Sequence, residues 1–261
     1  MSRKTGYLAA ASVIAIAFSS APAMANSLNN FSGTLSGHYA NIDVSGGGPS
    51  LDSYGANGSG VFSLGTSGLN LQGDIGYDRL SGGGGHANIW NFAASPFMSL
   101  GSGRLGATLG YTSVDHGGGN LYNYGGYGEW FASRAFTVGI KAGGFSGSAT
   151  PNGEYVGGGL TGYLTPNLAL SGNIDYAHFK SAGHETDYTL GGEYLFSNTM
   201  PVSFYGGWTR SEFSGTTANA DTFFVGFRFY TNGNGADTLV ARHRTGTLNG
   251  LQSFGPLSAR F

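Results

Sequence analysis

Cysteine is absent from all 261 residues of the sequence, and charged residues make up only 10% of them. Without cysteine there is no disulfide framework and no metal site built from thiolates. Soluble domains carry about 25% charged residues, so this composition argues against an ordinary soluble surface. The mature chain also lacks any run of about 20 apolar residues, and therefore no transmembrane helix is predicted.

Glycine is very abundant, with 49 occurrences spread through the chain. Each glycine weakens a helix by about 1 kcal/mol relative to alanine, and helical periodicity of apolar residues is hard to find. The chain does not have the composition of a disordered protein either, because it contains 18 Phe and 15 Tyr. These features favour an all-β protein.

The N-terminal segment, residues 1–25, has the three parts of a secretory leader. Arg3 and Lys4 precede a short apolar run, and the segment ends in Ala23-Met24-Ala25, an A-x-A cleavage signal. We predict cleavage after Ala25 and export from the cytoplasm. Ten of the twelve basic residues then remain against fourteen acidic ones, a balance that gives no hint of nucleic-acid binding.

Apolar and polar residues alternate with a period of two along the rest of the chain. Within residues 166–180, Leu168 and Ile174 fall on one parity, whereas Asn173 and Asp175 fall on the other. Such alternation is typical of a β-strand with one apolar and one polar face. It predicts about twelve strands, over residues 31–43, 53–64, 68–80, 87–99, 103–114, 121–131, 135–146, 154–164, 168–179, 186–196, 200–211 and 220–230.

Turn sequences separate these segments, and tight turns alternate with longer, glycine-rich ones. GSG at 101–103 and TPN at 165–167 are tight, whereas SGGGGH at 81–86 is an example of the longer kind. An apolar residue, mostly aromatic, recurs every 33 positions before a turn, in the series Leu64, Phe97, Trp130, Tyr163, Phe196 and Phe229. This period fits a repeating hairpin with one tight and one longer connection.

Three observations indicate that the apolar face of these strands meets lipid. The leader exports the chain, the alternation persists through every hairpin, and aromatic residues recur at both ends of the strands. Strands that cross a bilayer need about 9–11 residues, and they must close into a barrel because lipid satisfies no open edge. We therefore predict an all-β fold, a membrane-spanning antiparallel up-and-down β-barrel of about twelve strands.

In these features the sequence resembles the bacterial outer-membrane β-barrel superfamily, porin-like in the broad sense. The resemblance rests on the leader, the alternation, the aromatic series and the segment ADTFFVGFRFY, and it covers residues 26–231. It implies a place in the outer membrane of a Gram-negative bacterium, contact with outer-membrane lipid, and insertion by the barrel-assembly machinery. It also implies passive diffusion of small polar solutes without a cofactor.

The resemblance further implies an aromatic closing strand near the end of the barrel. Phe223, Val225, Phe227 and Phe229 match that strand, yet residues 232–261 follow it. We expect this tail to be periplasmic, and either flexible or in contact with the lumen. The terminal Phe261 also matches the family's C-terminal Phe, but its segment contains Pro256 and is too short to span the membrane.

The polar parity of the predicted strands carries charged residues that would line or cross the lumen. They are Asp74, Asp78, Arg104, Glu129, Lys141, Asp175, Glu193 and Arg228, with His38 nearby in the pattern. Glycines on the same parity leave space, which favours a narrow open pore. In the alternative, paired charges fill the lumen, and the barrel is non-conducting with a structural or surface-contact role.

Aromatic residues near the strand ends are predicted to form girdles at the two membrane interfaces. The candidates are Phe97, Trp130, Tyr163, Phe196, Phe229, Tyr77, Tyr111, Tyr176 and Trp208.

An enzyme active at the barrel rim is a further alternative, since twelve-stranded relatives include an outer-membrane phospholipase and a protease. The polar groups at two predicted outer loops are His178, His184, Glu185 and Asp187, and Asp115-His116. No spacing among them singles out a metal tetrahedron, and the pattern favours hydrated loops over a catalytic or metal site. We therefore predict that the protein is not an enzyme and holds no metal.

The predicted lumen contains five acidic and three basic residues, so we expect a weak preference for cations. A purified channel in a planar bilayer under a salt gradient should give a reversal potential of that sign. A reversal potential that favours anions would contradict the prediction.

Overall fold

The computed structural model describes residues 31–45, 50–64, 68–115, 119–148, 152–196, 201–214, 219–231 and 237–247. The predicted leader, residues 1–25, lies outside this part, and its assignment stays a prediction. The terminal segment with Phe261 also lies outside it. No helix in the described part is long and apolar enough to cross a membrane.

Twelve antiparallel strands close into one barrel, in which each strand pairs with its neighbours in sequence and the last pairs with the first. This confirms the predicted fold, and the predicted strand ends differ from the observed ones by at most three residues. The strands are β1 (Phe31–Val44), β2 (Leu51–Ser63), β3 (Leu69–Gly82), β4 (Gly85–Ser99), β5 (Gly103–Val114), β6 (Gly119–Ser133), β7 (Phe136–Gly147), β8 (Gly153–Thr165), β9 (Leu168–Phe179), β10 (Gly183–Leu195), β11 (Val202–Phe213) and β12 (Asn219–Thr231). The described residues also include one short helix, α1 (Leu239–Thr245).

The barrel closes through β12, the aromatic strand that the sequence marks as the closing one. Its pairing with β1 runs from Gly33 opposite Thr231 to Val44 opposite Ala220. The first residue of β1 and the last residue of β12 therefore lie at the same end of the barrel. We call this the tail end, because the chain leaves the barrel there, and we call the opposite end the far end.

The connections between strands are short at both ends of the barrel, and none is longer than six residues. The expected contrast between tight and longer connections is therefore weak. In SGGGGH the strands extend into the glycines, so that only Gly83 and Gly84 join β3 to β4, both with positive φ (57° and 86°). Glycine adopts that backbone conformation without steric cost. None of these connections has the length of an inward-folded constriction loop.

Alternate residues along each strand face opposite sides of the barrel wall. On β5, Thr108 is 1% exposed and its neighbour Leu109 is 66% exposed. On β7, the outward Ile140 is exposed, whereas the adjacent Lys141 is buried. Along the central part of the strands the exposed parity is apolar and the charged residues face inward, which is the arrangement expected of a barrel surrounded by lipid.

Several inward glycines are covered by aromatic side chains of the inner wall. A Cβ on Gly226 would lie 2.6 Å from the Tyr205 ring, and a Cβ on Gly106 would lie 2.7 Å from the Tyr127 ring. The prediction that inward glycines leave open space was therefore wrong at these positions. Neighbouring rings occupy that space, because a strand without a Cβ lets a large side chain lie close to the backbone.

Two inward glycines of β7 provide a matched test of this packing. A Cβ on Gly143 would collide with the backbone oxygen of Tyr124 and lie 2.6 Å from the Tyr155 hydroxyl, whereas nothing lies within 4 Å of a Cβ on Gly139. We expect Gly143→Ala to lower the free energy of unfolding by about 1–3 kcal/mol and Gly139→Ala to change it little. Urea unfolding in detergent would measure both. Equal effects would contradict the packing account.

Candidate functional site: the barrel lumen

The middle of the lumen contains two ion pairs on opposite parts of the wall. His38 Nε2 lies 2.8 Å from Asp78 Oδ1, and its other ring nitrogen lies 3.5 Å from the amide of Asn57. Lys141 Nζ lies 3.0 Å from Asp175 Oδ1. The side chains of His38, Asp78 and Asp175 remain 17%, 20% and 27% exposed. Because these residues face inward, the interior of the barrel has space of at least the size of a water molecule at this depth.

The tail end of the lumen contains two more deeply buried ion pairs. Arg104, near the start of β5, donates from Nε to Glu129 of β6 at 2.7 Å. Arg228 of β12 donates from Nη1 to Glu193 of β10 at 2.6 Å. Buried charges of this kind require partners, and each acid here faces an arginine on another strand.

Glu193 accepts from several groups besides Arg228. Ser203 donates its hydroxyl to Oε1 at 2.5 Å, Tyr230 donates its hydroxyl to the same oxygen, and the His243 ring lies 3.3 Å from Oε2. A carboxylate with this many donors is fixed in position, because breaking any one contact leaves a buried polar atom short of a partner.

All eight predicted lumen residues lie on the inward parity. Six of them form the three ion pairs between Lys141 and Asp175, Arg104 and Glu129, and Arg228 and Glu193. Asp78 pairs with His38, and Asp74 accepts from the side-chain amide of Gln72 at 2.8 Å. Whether these residues line a conducting path stays a prediction.

Helix α1 is the part of the tail that packs against this network. Thr238 caps its N-terminus by accepting from the Ala241 N–H at 3.2 Å, and Gly246 ends it by donating to the Arg242 carbonyl at 3.0 Å. Thr-before and Gly-after are ordinary helix boundary signals, and basic residues fill the last turn as the helix dipole favours. These signals are present in the sequence, but a helix of only seven residues is too short to show a clear periodicity, and it was not predicted.

The helix lies inside the barrel, across its tail end. The helix and Thr247, which follows it, contact inward residues on six strands distributed around the wall, which are Thr34, Arg104, Thr137, Tyr163, Glu193 and Tyr230. Leu239, at the start of the helix, is fully buried among apolar side chains of β8, β9, β10 and β12. The helix therefore occupies the tail end of the lumen and does not lie outside the barrel.

Two predicted girdle residues face the lumen, so those two assignments were wrong. Phe97 is 3% exposed and lies 5.8 Å from the Arg104 guanidinium, while Tyr163 is 8% exposed and lies 5.5 Å from that of Arg244. The reason is parity, since 33 is odd and side chains alternate with a period of two. On β2, β4, β6, β8 and β10 the odd-numbered residues face inward. A step of 33 changes an even number to an odd one, so successive members of the series on these strands face opposite sides of the wall.

The other predicted girdle residues lie on the outward parity of their strands. Trp130, Phe196 and Tyr176 are exposed, and the half-buried ones are Tyr77, Tyr111, Trp208 and Phe229. Two of them donate towards polar groups, Tyr77 to Asn88 at 2.8 Å and Trp208 to Asp221 at 3.0 Å. Their place at the membrane interfaces stays a prediction.

The far end of the lumen is more apolar than the sequence suggested. Ile42, Leu80 and Ala220 form a buried cluster there, with Val44, Leu51 and Phe213 packed against it. Two buried acids, Glu185 and Asp187, also face inward from β10. Glu185 lies outside the predicted strand 186–196, because the observed β10 begins three residues earlier, whereas the inward parity of Asp187 was already visible in the sequence.

The polar groups proposed for a rim active site are divided between the two faces of the barrel wall. His178 and His184 are exposed on the outer face of β9 and β10, whereas Glu185 and Asp187 point into the barrel. Asp115 bonds to Asn88, and His116 lies outside the described residues. Within the ranges that the structure covers, no three His, Asp or Glu side chains gather as a metal site would require.

Solved structures with a similar chain path are bacterial outer-membrane barrels. The NanC porin aligns with a TM-score of 0.54 at 11% identity, over 74% of this chain and 98% of that one. The KdgM porin, solved with disordered oligogalacturonate, aligns with 0.53 at 11% identity over the same shares. The translocator domain of the autotransporter NalP from Neisseria meningitidis aligns with 0.50 at 14% identity, over 85% and 97%.

The chain has the fold of an outer-membrane β-barrel. No protein-family model and no curated protein matches its sequence. At identities of this size the likeness shows the fold of the outer-membrane barrel alone, and its activity has to be argued from the lumen.

The pair between Glu193 and Arg228 allows a test of how strongly the inner network stabilises the barrel. We expect Glu193→Ala to lower the free energy of unfolding by about 3–5 kcal/mol, because it leaves a buried arginine without its acid. Glu212→Ala is the control, since its pair with Arg210 is exposed and contributes about 0–1 kcal/mol. Urea unfolding of both variants in detergent would measure this, and a similar small loss in both would show that the network is not stabilising.

Proposed function

We propose that the protein is an outer-membrane channel for passive diffusion of small hydrophilic solutes, weakly selective for cations and without enzymatic activity. The observation that carries the proposal is the solvent-accessible, polar middle of a closed twelve-stranded barrel. His38, Asp78 and Asp175 are partly exposed there, although they lie on the inner face of the wall. A wall that is apolar outside and polar inside is the arrangement that admits water-soluble molecules across a bilayer.

The charges of the inner wall support a preference for cations. Besides the five acids predicted from sequence, Glu185 and Asp187 face inward, so the strands contribute seven acidic residues against Arg104, Lys141 and Arg228. Rings of acidic side chains favour cations in other channels. Helix α1 adds Arg242 and Arg244 at the tail end, which weakens the preference while the helix is in place.

A non-conducting barrel with a structural or surface-contact role is the second candidate. The observations that favour it are the helix across the tail end and the buried apolar cluster at the far end. In this case the ion pairs would serve only to fill and rigidify the interior. Contact with outer-membrane lipid and insertion by the barrel-assembly machinery would be the same for both candidates.

Conductance in planar bilayers separates the two candidates. We expect the chain without residues 232–261, which keeps all twelve strands, to conduct small ions continuously and more cation-selectively than the full chain. The three arginines of the tail, Arg242, Arg244 and Arg260, are then gone, which accounts for the added selectivity. If neither form conducts after correct folding is verified, the channel proposal fails and the structural role remains.

A further inference from the structure

We propose that helix α1 is a cationic plug that closes the channel at its tail end and leaves that seat when a transmembrane voltage pulls it away. The inference rests on the proposed channel function and adds its regulation. It concerns the part of the tail that the structure describes, residues 237–247, and the inner wall that receives it.

The plug is attached mainly through backbone carbonyl groups. Arg104, already paired with Glu129, donates from Nη1 to the Gly246 carbonyl at 2.9 Å and from Nη2 to the His243 carbonyl at 2.7 Å. The unpaired carbonyls at the C-terminus of a helix are natural acceptors for such a cation. One arginine of the wall thus links an ion pair between two strands to the end of the helix.

A second arginine makes the reverse contact, from the helix to the wall. Arg244 donates to the backbone carbonyls of Ser133 and Phe136, at 2.5 and 2.9 Å, where β6 meets β7. Its guanidinium also lies 4.9 Å from the Phe131 ring, a favourable cation–π geometry. These contacts explain why Phe97 and Tyr163 face inward, because their rings lie beside Arg104 and Arg244 at the tail end of the lumen.

The polar contacts of Arg104 and Arg244 can be replaced by contacts with water more easily than buried apolar contacts can. All of these contacts are hydrogen bonds or ring contacts that water and counter-ions replace once the helix moves, whereas the twelve strands stay paired. Leu239 with its apolar neighbours and the buried Arg242 anchor the helix by burial. The helix is therefore the element of the described chain that can leave the lumen without breaking the barrel wall.

The charge of the helix makes this movement sensitive to voltage. Arg242 and Arg244 lie on the helix, and the acid nearest to them along the tail is Asp237, which precedes it. Moving one unit charge across a full transmembrane field changes an equilibrium by about 50-fold per 100 mV. A potential positive at the far end drives the plug out of the barrel, and the opposite potential holds it in place.

A reversible tether provides the decisive test. The hydroxyl oxygens of Thr34 on β1 and Thr247 after the helix lie 3.5 Å apart and both residues are buried. Because the natural chain contains no cysteine, the double variant Thr34→Cys/Thr247→Cys would carry only the introduced pair. Oxidation should join the tail to the wall, and mass spectrometry before and after reduction would verify the bond.

We expect the oxidised double variant to be closed at both polarities, with at least about ten-fold fewer openings than its reduced form. The reduced form should open at one polarity only. Thr34→Cys alone is the matched control, whose conductance should not respond to oxidant. Arg242→Gln/Arg244→Gln in the full chain should open at either polarity, because the charge on the plug and one of its attachments are lost.

The outcomes separate this inference from the channel function itself. If the oxidised, verified tether conducts as the reduced form does, the plug is disproved and the channel stands. If opening is equal at both polarities in the unmodified chain, the voltage-driven release is disproved. Silence of every form, including the chain without residues 232–261, would overturn the channel and the plug together.

Discussion

Pairing of every strand with two neighbours is the constraint on which the rest of this structure depends. Hydrocarbon offers no partner to a backbone N–H or C=O, so a sheet inside a bilayer has to close. Here closure is made by β12 against β1, over a register from Gly33–Thr231 to Val44–Ala220. This register also places the end of β12 at the tail end of the barrel. The helix α1, which follows β12, therefore lies within reach of the lumen.

Closure places half of all strand residues in a confined interior, and the chemistry of that interior follows. A charge at the tail end is too deeply buried to stand alone, and the acids there are paired with arginines from another strand. One pair joins the adjacent strands β5 and β6, and the other joins β10 to β12. Arg104 extends this arrangement by holding Glu129 and the carbonyls of α1 together.

Glycine and aromatic residues share the remaining inner surface. Where a strand has glycine, the backbone lies open and a neighbouring ring rests on it, as Tyr205 does at Gly226 and Tyr127 at Gly106. Glycine content alone therefore does not measure the space inside the barrel. The mid-lumen is less tightly filled than the two ends, since His38, Asp78 and Asp175 stay partly exposed there.

The sequence by itself determined the twelve strands, their approximate ends, and which parity carries charge, because a period of two is a local property that each segment shows alone. Other features depended on tertiary structure. Phe97 and Tyr163 belong to the 33-residue series but face inward, because an odd step reverses the face; the arginines that they meet there are brought to them by the tertiary structure. Glu185 faces the interior because β10 begins at Gly183, earlier than the glycine and histidine at 183 and 184 suggest. The position of α1 was equally out of reach, since its seven residues have clear caps but its location is decided by Arg104, Glu193 and Tyr230, which barrel closure alone brings together.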